Sequence, residues 1–377
     1  MKILKTKYYS WRAGRLAKGC QQCVRGEKLV LFITGLCPRR CDFCPVSDKK
    51  LYKDVTYANE RPVTNIHQII EEAMACKARG AGMTGGDPLM KLWNTCFAIR
   101  KLKKEFGKNF HIHLYTPPSL VNKKSLERLF KSGLDEIRFH PDLNNPAEWK
   151  KIDLAKEKDF DWDVGVEIPA IPRKERQTKK LIDYIQGKVD FLNINELELA
   201  DNAVWRRKKN VNTKNKVSYA IKGSEVLAKK LIRYAAGKGV RTHYCTCKLK
   251  DRVQLAKRIL RRAENTRQKF DIVTKQGMLL RGAIYLPELS PGFGYHENLG
   301  RLKPGQKRKI LNKLRTIKNK IIRQEKIPAD MIKVDENKLR LVTSKAIAKK
   351  IKANQVRKAV VTEYPTFDAL ELEVEFI

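Results

Sequence analysis

Short apolar runs alternate with amphipathic stretches from Lys28 onward, and that alternation sets the order of elements. Short, mostly apolar runs of four to seven residues predict strands over 28–34, 81–84, 111–116, 136–140, 163–168, 191–195 and 240–244. Between them, apolar residues recurring every three or four positions predict helices over 66–77, 92–106, 123–131, 147–157, 175–186 and 225–236. Strand and helix in regular alternation imply parallel strands joined by right-handed crossovers, and six or more such units curl into a barrel. The predicted fold class is therefore α/β, a partial or complete (β/α) barrel. Its working face is the C-terminal end of the strands, where connecting loops gather.

Past about Asn265 the alternation stops. Residues 271–276 and 278–286 read as a strand pair turned at Gly277, followed by a Pro- and Gly-rich loop over 287–300 that contains Phe293 and Tyr295. A basic helix follows, then a strand over 338–342, a short helix over 344–353, and a closing strand pair over 356–363 and 369–376, bent at Tyr364-Pro365-Thr366. The expected organisation is a basic N-terminal segment (1–27), a barrel (28–265) and a basic C-terminal α+β domain (266–377).

Charge changes the picture next. Lys and Arg number 80 against 41 Asp and Glu, a formal net charge of +39. Such an excess attracts polyanions by releasing their counterions, and it points to an RNA or DNA partner, tRNA first. The alternative is a Lys-rich proteome that spreads bases over every surface. Three segments concentrate the charge. Residues 206–216 (RRKKNVNTKNK) read as an exposed basic loop. Residues 250–262 read as a helix with Val253, Leu255, Ile259 and Leu260 inward and Arg252, Lys257, Arg258, Arg261 and Arg262 outward or flanking. Residues 303–326 hold ten bases and one acid, with Ile310, Leu314, Ile317 and Ile321 at helical spacing, so one face packs and the other is a basic stripe. A polar, basic start without an apolar leader, and no run of membrane-spanning length, lead us to expect a cytoplasmic protein in a reducing compartment, with no membrane partner.

Chemistry enters at the end of the first strand. Cys37, Cys41 and Cys44 form a Cys-x3-Cys-x2-Cys set in LCPRRCDFCPV. Three thiolates so close can hold three irons of a [4Fe–4S] cube and leave the fourth iron open for chemistry, whereas a structural zinc wants a fourth ligand and usually takes two cysteine pairs. Thr84, Gly85, Gly86 and Asp87 follow the second strand. Thr116, Arg138, His140, Pro169, Asn193, Asn195, Glu196 and Cys245 lie at or near later strand ends, where polar groups on buried strands need partners. The ordinary reading of the lone His and the Asn pair is a satisfied structural network. Cys20 and Cys23 stand just before the first strand, and Cys245 and Cys247 at the end of the last. A closing barrel would bring the four together as a second metal site, an auxiliary iron–sulfur cluster or a zinc; the competing reading leaves them as free thiols. Cys76 and Cys96 fall within helices and read as packing residues.

The triplet, with Phe43 just before its last cysteine and TGGDP after the next strand, resembles the signature of the radical S-adenosylmethionine (SAM) superfamily. The stretch KGCQQCVRGEKLVLFITGLCPRRCDFCPVS is similar to archaeal radical SAM proteins described as related to pyruvate formate-lyase activating enzyme, and the likeness covers roughly residues 19–265. The resemblance implies a barrel of radical SAM type and a [4Fe–4S] cluster on Cys37, Cys41 and Cys44. It implies reductive cleavage of SAM to a 5′-deoxyadenosyl radical, and an electron donor such as ferredoxin or flavodoxin. Gly85, Gly86 and Asp87 would meet the methionine part of SAM, Phe43 and Ile168 the adenine, and Asn193, Asn195 and Glu196 the ribose or carboxylate. Thr116, Arg138 and His140 are further candidates. The family more often has Glu where Asp87 stands. Three readings of function follow: a radical SAM enzyme that modifies RNA, an activase or modifier of a protein or peptide, and a non-catalytic RNA-binding protein.

Overall fold

The computed structural model describes residues 1–157, 160–200, 212–292, 294–352 and 355–377. They form two compact units, Met1–Arg258 and Ile259–Ile377.

In the first unit the strands are β1 (Ile3–Lys5), β2 (Trp11–Ala13), β3 (Lys28–Phe32), β4 (Thr56–Ala58), β5 (Arg61–Val63), β6 (Gly80–Thr84), β7 (His111–Thr116), β8 (Glu136–Phe139), β9 (Asp163–Pro169), β10 (Phe191–Asn195) and β11 (Thr242–Cys245). Seven of them run parallel in the order β3-β6-β7-β8-β9-β10-β11. The helices between them are α1 (Lys18–Cys23), α2 (Ile66–Ala75), α3 (Leu92–Phe106), α4 (Lys123–Lys131), α5 (Pro146–Asp153), α6 (Glu175–Ile185) and α7 (Ser224–Gly237). The (β/α) alternation expected from the sequence is present. The barrel is partial: β3 and β11 do not pair with each other. Instead β3 is flanked by the hairpin β4-β5 and β11 by the hairpin β1-β2, each pairing antiparallel. These four three-residue strands are too short to carry a sequence periodicity.

Strand parity divides the sheet into two faces. Leu29, Leu31, Ile112, Leu114, Ile137, Val164, Val166, Ile168, Leu192 and Ile194 are buried in one apolar core with the inner sides of the helices. The opposite face is polar: His111, His113, Glu136, Arg138, Glu167, Asn193 and His243. Helix α1 packs against this polar face, with Gly19 N–H donating to Glu136 Oε2 at 3.0 Å. Gly19 has to be glycine, since a Cβ there would stand 2.8 Å from His113 Nδ1 and closer still to the Arg138 guanidinium.

After β11 come a helical turn, Cys247–Leu249, a π-helical turn, Lys250–Leu255, and α8 (Ala256–Thr266). This differs from the single helix read over 250–262. The π turn shifts the register, so Leu255, expected inward, is 42% exposed, while Arg262, expected outward, is buried and donates to the Pro365 carbonyl. Of the basic loop read over 206–216, residues 206–211 lie outside the described residues. Lys214 is placed beside Glu196 and Glu225.

The second unit is an antiparallel sheet of β12 (Ile272–Val273), β13 (Leu279–Tyr285), β14 (Ile332–Asp335), β15 (Arg340–Thr343), β16 (Arg357–Glu363) and β17 (Glu371–Phe376). Helices α9 (Tyr295–Arg301), α10 (Pro304–Gln324) and α11 (Lys345–Lys350) complete it. Gly277 turns β12 into β13 with φ of 82°. The segment read as a loop over 287–300 contains α9, whose Tyr295 ring and Leu299 are buried in the unit's core; Phe293 lies outside the described residues. Leu314 and Ile321 of α10 are buried there, and its bases face outward. Arg340 is fully buried between Asp335, Glu363 and Tyr285 Oη. No helix among the described residues is long and apolar enough to cross a membrane.

Gly165 of β9 faces the ring of Phe191 in the neighbouring β10, and a Cβ at Gly165 would collide with it. Gly165→Ala should therefore lower stability by about 1–3 kcal/mol through overpacking. Phe191→Leu in the same chain should recover part of the loss, a coupling of roughly 1 kcal/mol in a double-mutant cycle of urea midpoints. Additive losses would refute this reading of the contact.

Candidate functional site

A cavity of about 620 Å³ lies at the C-terminal ends of the parallel strands. Cys37, Cys41, Phe43 and Cys44 line it from the loop after β3, Thr84, Gly85 and Gly86 from the end of β6, Tyr115 and Thr116 from β7, and His140 from just past β8. Glu167, Asn195, Glu196, Glu198 and Lys250 form the far wall.

Two backbone hydrogen bonds lock the cysteine loop to the glycine turn: Gly86 N–H to Thr34 O and Asp87 N–H to Leu36 O, both 2.8 Å. The glycines are dictated by this contact. Gly85 has φ of 152°, its Cβ would run into Thr34 O, and a Cβ on Gly86 would lie 2.7 Å from Gly35 O and closer still to Leu36 O. Gly35 in turn is bracketed by residues 50–53, with Gly35 N–H donating to Lys53 O and Tyr52 N–H to Gly35 O. The cysteine loop is thus held on two sides by main chain.

The three thiols are half-buried, and Cys44 N–H donates to Cys41 O at 3.1 Å. Burial pushes all three above the ordinary thiol range, Cys41 to about 11. They stay protonated until a cation arrives, and iron would supply the positive charge that makes them thiolates. Arg39 ties the loop across the cavity by donating to His140 O at 2.6 Å and pairing with Asp142 at 3.5 Å. His140 Nδ1 bonds the Glu167 carbonyl at 2.8 Å. A carbonyl only accepts, so Nδ1 carries the proton and Nε2 is the free acceptor. Burial lowers this imidazole to about 4, keeping it neutral, and the Phe43 ring stands 5.9 Å from it.

Several expected residues occupy other positions. Asp87 does not line the cavity. Its Oδ1 accepts from Leu89 N–H at 3.0 Å and Thr116 Oγ1 at 2.8 Å, capping the turn Pro88–Lys91; Oδ2 is buried without a partner, and burial raises the group to about 6. Ile168 faces the helices, because strand parity gives its neighbour Glu167 to the cavity. Arg138 and Asn193 lie one layer below the cavity. Arg138 pairs with Glu136 and donates to Glu167 Oε2 and Tyr115 Oη, both 2.9 Å, and to Cys20 Sγ at 3.5 Å. Asn193 donates to Glu167 Oε2 at 2.8 Å and Cys20 Sγ at 3.3 Å, and Asn195 to Glu167 Oε1 at 2.9 Å. Glu196 accepts from Cys247 N–H at 3.0 Å and pairs with Lys214.

Glu167 is therefore the centre of the far wall, and sequence reading passed over it. Although burial opposes it, Arg138 and the two Asn amides hold its carboxyl below the usual range, so it is ionised. The available signal was parity: in DVGVEIP, Glu167 shares a face with Asp163 and Gly165, opposite the valines. Lys250 was also missed. The π turn brings its ammonium to the wall, where it bonds Glu198 at 2.6 Å. Among the described residues the charged side chains lining the cavity balance, Arg39, Lys50 and Lys250 against Glu167, Glu196 and Glu198.

Cys20, Cys23 and Cys245 lie within electrostatic reach of one another, with Cys247 two residues further along. Cys20 sits under Arg138 and Asn193, and Cys245 among Val24, Leu249 and Val253. Among the described residues no three His, Cys, Asp or Glu side chains are gathered as ligands of a single metal ion. That bears on a single ion such as zinc, and not on an iron–sulfur cube at Cys37, Cys41 and Cys44 or at the second set, because a cube of four irons holds its thiolates further apart than one ion does. One loop carrying three thiols along an enclosed wall, beside a glycine cradle, fits such a cluster with SAM next to it.

Comparison with known proteins agrees. The Radical SAM superfamily matches residues 31–156. A Methanocaldococcus jannaschii protein, MJ0021, provisionally described as a glycyl-radical enzyme activating enzyme, is 43% identical over 286 residues, 74% of this chain and 76% of its own. A biotin synthase of Rickettsia felis is 30% identical over 141 residues, 30% of this chain and 44% of its own. Among solved structures, a radical SAM methyltransferase, TsrM, from Kitasatospora setae aligns with a TM-score of 0.36 and 12% identity over 54% of this chain and 42% of that one. The chain belongs to the radical SAM superfamily. It is an enzyme, and membership implies a [4Fe–4S] cluster and SAM as its cofactors.

On the polar face below the cavity, His243 is 3% exposed and neither ring nitrogen has a partner. Burial lowers its pKa to about 4. The folded chain keeps this imidazole neutral where the unfolded chain protonates it, so stability present above the unfolded value is lost as pH falls from about 6.5 through about 4. His243→Leu should flatten that part of the profile by up to about 3 kcal/mol and leave neutral-pH stability equal or higher. Urea midpoints of the two proteins between pH 4 and 7 test this, and parallel profiles would contradict it.

Proposed function

We propose that this enzyme uses SAM to place a radical on a protein or peptide, as an activase or modifier would. The observation that carries the reading is the charge balance of the cavity. In a chain with a net charge of +39, the described residues of the lining hold three bases and three acids, and a site built to draw in phosphates would keep the excess. The description of MJ0021 as an activating enzyme supports the same reading.

Cys37, Cys41 and Cys44 would hold the cluster, with Thr84, Gly85 and Gly86 presenting main chain to the methionine part of SAM. When bound, these groups supply a one-electron reductive cleavage that leaves a carbon radical able to take hydrogen from an unactivated C–H bond. The chain's own residues position and exclude water. Asp87 and Thr116 keep the glycine turn in shape. Phe43 offers a ring face to the adenine, and neutral His140 presents Nε2 as an acceptor. Glu167, held ionised, and Asn195 offer oxygens to hydroxyl or ammonium hydrogens, and Glu196 and Glu198 with Lys250 border the side from which substrate enters. Electrons come from a separate donor.

A second reading, RNA modification with tRNA as substrate, is favoured by α10. Of its eight bases only Lys313 and Arg315 have carboxylate partners among the described residues; Lys307, Arg308, Lys309, Lys318, Lys320 and Arg323 have none. A phosphate backbone would satisfy such a face, with affinity falling steeply as salt rises.

Anaerobic reconstitution followed by assay of 5′-deoxyadenosine with dithionite tests the reaction. The wild type should take up iron and form the nucleoside, and Cys37→Ala, Cys41→Ala and Cys44→Ala should each lower it to background. The substrate class is read from cells with and without the gene: a radical or mass change in a protein supports the first reading, and a missing nucleoside in tRNA or rRNA with unchanged proteins overturns it in favour of the second.

A further inference from the structure

We infer that Cys20, Cys23 and Cys245, with His243 as the fourth ligand, hold a second iron–sulfur cluster in the layer beneath the cavity. The inference is independent of the substrate class and uses none of the residues assigned to the first cluster or the glycine cradle. Cys20 and Cys23 stand one turn apart on α1, about 4.5 Å along its axis. His243 and Cys245 lie on the same side of β11, about 6.6 Å apart, while the Tyr244 ring between them points the other way and stacks on Trp11 at 5.5 Å. The two pairs meet at both ends. Asn193, whose amide donates to Cys20 Sγ at 3.3 Å, is the neighbour of His243 in register on β10. Val24, the residue after Cys23, packs against Cys245.

Two buried groups here lack partners that a cluster would supply. His243 is buried and neither ring nitrogen is bonded; a neutral imidazole is a ready ligand for iron. Lys28 is a buried amine bonded to the Ala81 and His111 carbonyls and to His111 Nδ1. It has no carboxylate partner among the described residues and lies within electrostatic reach of Cys23. Thiolates held on iron would provide the negative charge that a buried cation needs. Arg138 and Asn193 already donate to Cys20 Sγ, and such contacts to a ligand sulfur tune a cluster's reduction potential. Burial pushes the three thiols up, Cys20 to about 12, so they keep their protons until metal displaces them.

A single ion does not fit, because among the described residues no three ligands converge on one point. A cube places irons between its ligands and suits the wider set. Cys247 stands outside it: its N–H is bonded to Glu196, and its thiol lies in the field of Glu198 and Glu196. Glu167 shares both Arg138 and Asn193 with Cys20, so the charge of this cluster bears on the far wall, across the cavity from the cysteine loop.

The test uses the full chain carrying Cys37→Ala, Cys41→Ala and Cys44→Ala together, reconstituted anaerobically with ferrous iron and sulfide. It should retain about four irons and four sulfides per chain, against about eight of each in the wild type. After reduction its electron paramagnetic resonance should show coupling to a nitrogen. In the same background His243→Leu should remove that coupling and speed loss of iron to a chelator by roughly tenfold. Adding Cys20→Ser, Cys23→Ser and Cys245→Ser together should bring iron to background, and Cys247→Ser should leave it in place. Circular dichroism of the metal-free variants checks that they fold; the iron count and the nitrogen coupling are read with all four ligands intact and do not depend on it. A chain without the first three cysteines that holds no iron, or holds zinc instead, would overturn the proposal. So would iron that survives loss of Cys20, Cys23 and Cys245, or a reduced cluster without nitrogen coupling. Failure of the wild type to form 5′-deoxyadenosine bears on the proposed reaction alone, since this iron count is made where that reaction is already disabled.

Discussion

Arg138 is the ion on which the barrel interior depends. A half-open sheet with Glu136 and Glu167 on its inner face would leave two carboxylates poorly hydrated, and one guanidinium reaches both while also bonding Tyr115 and Cys20. Buried pairs of this kind add little net stability, because desolvation consumes the attraction, but removing one partner strands the others at a cost of about 3–5 kcal/mol. What the interaction contributes is placement. With Arg138 below and two Asn amides beside it, the Glu167 carboxylate has one orientation, and the far wall of the cavity is built on it.

Much of this was legible in the sequence. The seven parallel strands stand where the short apolar runs put them, because each helix-facing row of Leu, Ile and Val must be buried and only one register does so. The cysteine triplet and the glycines were legible because their chemistry leaves few substitutes. The short hairpins β1-β2 and β4-β5 were not, since three residues cannot establish a period. The placement of Asp87, Arg138 and Asn193 beneath the cavity depends on contacts between distant segments, such as Cys20 with Asn193, that no local pattern encodes. Glu167 could have been found by counting parity along its strand. Lys250 could not, because the π turn that aims it breaks the helical count.

The distribution of charge separates two tasks. Among the described residues the cavity lining is balanced, whereas α10 keeps bases without carboxylate partners. Excess charge placed away from the reacting site can govern encounter and retention without altering the polarity in which a radical is handled. The outer surface can therefore select partners while the interior stays nearly neutral.

The unpaired seam between β3 and β11 carries a mechanical consequence. A closed barrel has its radius fixed by strand number and shear. This sheet ends instead in two short hairpins, β4-β5 and β1-β2, so its curvature is not fixed by closure. With that edge open, small changes of twist can spread or close the strand ends that line the cavity, where a closed ring would hold them fixed.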